Sequence, residues 1–177
     1  MTNPSVNDIE DEREAIRTPD APPKAPSHWK QEDWDELKRY IRWLCDQLGL
    51  RDWEIILLHE TTAEVGEGDA IAYIHPTDGQ RRATLRLCSD FREMSPEKQR
   101  HSLIHELIHP HHRDATDIIR LTLPRSFGGV AYEVLWENFR QQVELMVDNI
   151  ATAIAEQYPV PDWPKPKKRK EKKGKKP

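Results

Sequence analysis

The chain has 177 residues, 27 Lys+Arg against 31 Asp+Glu for a formal charge of −4, and a hydrophobic fraction of 36%. That charge is unevenly spread: residues 1–27 sum to −3, residues 28–163 to −9 and residues 164–177 to +8. No apolar run approaches the roughly 20 residues that cross a bilayer, and the start is acidic where a cleaved signal would be basic and then apolar. Two cysteines, Cys45 and Cys88, are too few for a disulfide framework. These features exclude a membrane-spanning or disulfide-stapled protein and predict a soluble one in a reducing, cytoplasmic setting. Ten of the 14 prolines lie in the first 27 residues or from Pro159 onward. The expected organisation is therefore a disordered acidic, proline-rich leader at 1–27, one folded domain at 28–158, and a disordered Pro/Lys-rich basic tail at 159–177.

Within the domain, Trp34, Leu37, Ile41 and Leu44 recur at spacings of three and four, with Gly49 where a helix C-cap belongs, which predicts a helix over 30–48. Residues 53–59, 70–75 and 81–88 read as strands. In the last, Ala83, Leu85 and Leu87 alternate with Arg82, Thr84 and Arg86, the period of a half-buried strand. Pro76-Thr77-Asp78-Gly79 is turn chemistry, so the second and third strands should form an antiparallel hairpin. Ser95-Pro96-Glu97 opens a helix with a cap, a proline at the first helical position and an acid at the positive end. That helix should stop at His109, before Pro110. A short helix over 114–123, a break at 124–129 and one long helix over 130–158, with Val143, Val147, Ile150 and Ile154 as its apolar stripe, complete the expected domain.

The helix begun at Ser95 carries His105-Glu106-Leu107-Ile108-His109. Histidines four apart share a helical face and converge on one cation, while the glutamate beside the first reaches the water such a cation would hold. This is the HExxH pattern, with Leu107 and Ile108 packing the opposite face. A site of this kind needs a third protein ligand and an open fourth position. The metzincin position for a third histidine is Ala115, and no histidine follows His112. The third ligand is therefore local, His111 or His112, or an acid from later in the chain, with Asp117, Glu133, Glu137 and Glu144 available.

Glu144 is followed four residues later by Asp148, an ExxxD pattern. HExxH completed by ExxxD on a following helix resembles the gluzincin arrangement. The order of residues 50–55, 83–87, 95–97, the HExxH helix and a late glutamate-bearing helix is similar to the small zinc-metallopeptidase-like proteins of bacteriophages and bacteria, distantly SprT-like. The resemblance covers residues 30–157. It implies an α+β, minimal zincin-like fold: an N-terminal helix, a small three-stranded, mainly antiparallel sheet, the HExxH helix and a long C-terminal helix. It also implies Zn²⁺ on His105, His109 and Glu144, Asp148 holding the other nitrogen of a ligand histidine, and Glu106 as general base towards a zinc-bound water in peptide-bond hydrolysis. The strand bearing Thr84 and Arg86 would be the edge that pairs with an extended protein substrate. His112, Tyr132 and His101 are candidate oxyanion donors. Pro110-His111-His112-Arg113 departs from the apolar residues more usual after the motif and makes the mouth of the site basic.

The lysines and Arg169 between Lys165 and Lys176 form a polycation that can attract nucleic acid by releasing counterions from phosphates, without an aromatic platform for base readout. Two other functional classes follow: a non-catalytic zincin-like metal-binding protein whose tail binds nucleic acid or an acidic partner, and a metal-free accessory factor of nucleic acid.

Overall fold

In the computed structural model the described residues are 29–59 and 71–163; the expected leader and the basic run from residue 164 lie outside them. Helix α1 (Gln31–Gln47) buries Trp34, Leu37, Ile41 and Leu44, the residues whose spacing predicts it. Gly49, at φ +77°, lets the chain turn out of the helix so that the Leu50 N–H donates to the Cys45 carbonyl at 2.8 Å. This is the 6→1 bond of a Schellman cap, with Leu50 buried beneath it.

Three strands follow, β1 (Glu54–His59), β2 (Ala72–Pro76) and β3 (Arg82–Leu87), in the spatial order β1-β3-β2. The fold is α+β, and the sheet is mixed rather than mainly antiparallel. β2 and β3 form the expected hairpin, with Gly79 at φ +67° in the turn. β3 then inserts beside β1 in the same direction, pairing Glu54 with Arg82 through His59 with Leu87. This insertion overturns one expectation: β3, with Thr84 and Arg86, is the central strand, its backbone paired on both sides, and the edge strands are β1 and β2. The alternation along β3 has the predicted period, with Ala83, Leu85 and Leu87 buried.

A short 3₁₀ turn (Ser89–Glu93) leads to α2 (Pro96–Ile108). The Ser95 hydroxyl accepts from the Lys98 N–H at 3.3 Å, and the buried Gln99 amide donates to the carbonyls of Phe91, Arg92 and Met94, locking the turn to the helix. Leu103, Ile104, Leu107 and Ile108 enter the core. At Pro110, which lacks an N–H, the α-helix gives way to a 3₁₀ turn (His109–His112) before helical geometry resumes as α3 (Arg113–Ser126). α3 is longer than expected. Pro124 sits in its final turn, where the one bond it forfeits leaves a carbonyl near solvent, and the break shrinks to Phe127 and Gly128.

Helix α4 (Gly129–Ala155) runs back along α2. Only its C-terminal part is buried, through Val147, Ala151 and Ala155. Ile150, assigned to the stripe from sequence, is 37% exposed, because alanines make the closest approach instead. Residues past 158 pack on the domain: Trp163 lies 6.5 Å from Trp29 and 5.9 Å from Tyr40, and the Tyr40 hydroxyl donates to the Pro159 carbonyl at 2.7 Å. Among the described residues, no helix is long and apolar enough to cross a membrane.

A buried ion pair joins Arg92 to Asp33, and the Arg92 guanidinium lies 4.8 Å from the centre of the Trp29 ring. Removing one partner leaves the other charge without compensation inside the protein. Asp33→Ala is expected to lower unfolding free energy by about 3–5 kcal/mol, read as a lower urea midpoint at unchanged slope.

Candidate metal centre and its cleft

His105 on α2 and His109, the first residue of the 3₁₀ turn that continues it, project to one side with ring centroids 5.2 Å apart. Because α4 packs antiparallel to α2, Glu144 faces both: its Oε2 lies 3.4 Å from His105 Nε2 and 3.5 Å from His109 Nε2. Ligand atoms of all three residues lie within 4.8 Å of one another, and the group can hold a metal ion. The chemistry of the donor set fits such an ion. Metal bonds of about 2.1 Å in tetrahedral geometry place ligand atoms about 3.4 Å apart, which matches the two carboxylate-to-imidazole separations. Glu133, Glu137, Asp117 and the local histidines are not in this group. Glu137 pairs with Arg140 and Gln141, and Asp117 with Arg113.

Asp148, one turn after Glu144, places Oδ1 3.7 Å from His105 Nδ1, the nitrogen that does not face Glu144. The separation is longer than a hydrogen bond, but it sets a negative charge beside Nδ1, which favours the tautomer protonated there. Asp148 also lies 3.9 Å from His101 Nε2, which is 3.1 Å from the Thr152 hydroxyl.

The charges of the cluster shift one another. Hydrogen bonds from His105 and then His109 hold the Glu144 carboxyl well below the usual carboxylate range. Burial works against protonation of His105, but its hydrogen bond to Glu144 and the charges of Glu106, Glu144 and Asp148 outweigh burial and raise its pKa. Glu106 is enclosed, and burial pushes its carboxyl up to about 7 despite the neighbouring imidazoles.

Glu106 also answers to the sheet. The Thr77 N–H donates to the Arg82 carbonyl and the Cys88 N–H to the Ile71 carbonyl, so the odd-numbered positions of this stretch pair with β3. Strand alternation then turns the backbone of Ala72 and Ile74 to the open edge. The Ile74 N–H donates to Glu106 Oε2 at 2.9 Å. The edge strand and the HExxH glutamate are thus directly joined.

Between β2, α2, α3 and α4 lies a cleft of about 970 Å³ that contains the whole group. His101 lines it, whereas His112 and Tyr132 do not. Among the described residues the enclosed Nε2 of His112 has no hydrogen-bond partner, and Tyr132 stacks on Trp136 instead. The sequence reading did not identify the Ile74 N–H, His75 on the strand edge, or the aromatic wall of Trp136 and Phe139. It also missed the bridge by which Asp78 in the β2–β3 turn pairs with both Arg113 and Arg120 of α3. Asp78 carried only a turn signal, and nothing in its neighbours marks a partner 35 residues away.

With Zn²⁺ as the titrant, calorimetry is expected to give one ion per chain, with affinity falling about 10- to 100-fold in Asp148→Ala and further in Glu144→Ala. His105 must shed its proton to bind a cation, and its pKa is raised. Affinity should therefore start to fall on acidification at a pH above the ordinary histidine value of about 6.5; an onset below that value would contradict the cluster as described. Comparison of this chain with protein-family models, curated proteins and solved structures finds no match, so what the site does is read from its own geometry and chemistry.

Proposed function

We propose that the protein is a zinc-dependent metallopeptidase of the minimal zincin type, hydrolysing peptide bonds in an extended protein substrate. The observation that carries this reading is the convergence of His105 Nε2, His109 Nε2 and Glu144 Oε2 beside the Glu106 carboxyl and an open strand edge, all within one cleft. Two imidazoles and a carboxylate favour Zn²⁺ and leave a fourth position for water or substrate. Held there, Zn²⁺ supplies Lewis-acid polarisation of a carbonyl and lowers the pKa of water.

The chain's own residues supply the rest. The outward backbone of Ala72 and the Ile74 carbonyl offer ladder partners to an extended peptide, while Pro76, which has no N–H to offer, suits an edge position. Glu106 is poised near neutrality to take a proton from the attacking water at its carboxylate and pass it to the leaving nitrogen. One C–O bond forms, one C–N bond breaks, and one water is divided between a new carboxylic acid and a new amine. Asp148 favours the His105 tautomer protonated on Nδ1 throughout.

One observation favours a second reading. The hydrogen bond from the Ile74 N–H gives Glu106 a structural task, tying α2 to the sheet edge, as a non-catalytic metal-binding protein would use it. The segment that would carry such a protein's nucleic-acid or acidic partner, residues 164–177, lies outside the described residues.

Glu106→Gln separates the two readings. A glutamine oxygen still accepts from the Ile74 N–H but takes no proton. The peptidase reading expects full zinc content, an unchanged melting temperature and cleavage reduced by at least about 100-fold. Undiminished cleavage in this variant would sink the assigned base. No cleavage by the wild-type protein of any peptide in a broad mixture, together with loss of thermal stability on zinc removal, would favour the second reading.

A further inference from the structure

The cleft is chemically lopsided about the metal group. Towards Ile71, where β2 begins, it is bounded by His101, Ser102 and Asp148. Past His109 it is bounded on the α4 side by Trp136, Phe139, Val143 and Arg140, the last paired with Glu137. Trp136 and Phe139 stack with centroids 6.0 Å apart and planes 27° from parallel, and both remain partly exposed to the cleft. The opposite wall presents Arg113 and Arg120, but Asp78 and Asp117 already hold both guanidinium groups. On that wall each guanidinium charge is therefore matched by a carboxylate, leaving no spare charge.

The direction of an occupant follows from β2. Asp78, just past the end of β2, reaches α3, and Ile74 within the strand reaches Glu106. The aromatic wall therefore stands beside the exit of β2, not its start. Antiparallel pairing is the more stable ladder, so a peptide on this edge runs opposite to β2 and its N-terminal portion lies at that exit. We propose that the cleft past His109 is a subsite for an aromatic or large aliphatic side chain, carried by a residue on the N-terminal side of the bond acted upon. This rests on the reading that an extended peptide occupies the cleft.

The test uses the full chain loaded with zinc. The Glu106→Gln form is used to select peptides from a randomised library, and the wild-type form digests the same library with cut sites read by mass spectrometry. Retained and cut peptides are expected to carry Phe, Tyr, Trp or Leu N-terminal to the reacting bond, favoured over Ala by at least about tenfold. In a Trp136→Ala, Phe139→Ala background that ratio should collapse to about twofold or less, whereas Trp136→Phe should keep most of it, which separates a lost wall from a lost fold. A flat profile, a preference for charged side chains, an aromatic preference confined to the C-terminal side, or no retained peptide each overturns the subsite. Aromatic enrichment among retained peptides without cleavage by the wild type removes the peptidase reading and leaves the subsite standing; cleavage with a flat profile does the reverse.

Discussion

Two imidazoles four residues apart on one helix converge on a point in space, but they cannot enclose a cation by themselves, because the helix offers its third donor on another face. The missing donor has to arrive from a second helix at a fixed separation. Val147, Ala151 and Ala155 let α4 approach α2 closely. That approach sets Glu144 opposite both His105 and His109 and, one turn later, Asp148 opposite the far nitrogen of His105. The spacing of four is used twice, once for the histidines and once for the acids. Sliding α4 by a single turn would bring Asp148 to the donors and put the uncharged Thr152 hydroxyl behind His105.

Glu106 lives under a different constraint. It faces the interior enough for burial to drive its pKa to about 7, yet it is one residue from His105 and bonded to the edge of the sheet. A carboxyl so enclosed is stabilised by a backbone donor whose position is set by the β2–β3 register. Slipping that register by one residue would turn the Ile74 N–H towards β3 and move the buried side chains of Ala72 and Ile74 to the other face of the sheet. The hairpin turn at Gly79 thus has a hand in the chemistry of a helix it does not touch in sequence.

Local features were legible in the sequence where one residue's chemistry determines them. The heptad-like spacing of Trp34 to Leu44, the Ser95-Pro96 cap, the turn at Asp78-Gly79 and the alternation through β3 all lie within a few residues of what they specify, and each element forms where expected to within two or three residues. Glu144 and Asp148 were legible as a pattern, although the residues alone left five other acids and histidines in play. What the sequence did not carry was pairing at a distance. Strand order depends on where β1 sits relative to a finished hairpin, and no side chain of β1 announces a parallel partner. For that reason the edge was assigned to Thr84 and Arg86 when it belongs to β2. The extent of α3 and the use of alanines in place of Ile150 were missed for a related reason: propensity and hydrophobicity describe a residue alone, and both outcomes depend on what stands opposite.

The two ends of the cleft are held by different forces. Beside Asp148 the walls are fixed by the packed faces of α2 and α4, which added salt scarcely weakens. Beyond His109 the wall opposite Trp136 and Phe139 is α3, a helix with no buried residue, fastened to the β2–β3 turn through Asp78, whose side chain is 72% exposed. Charges that open to solvent are screened over roughly 8 Å at physiological ionic strength and over far less in brine. The hold of α3 on the β2–β3 turn, unlike the packing of α2 on α4, therefore depends on the medium: raising ionic strength weakens it.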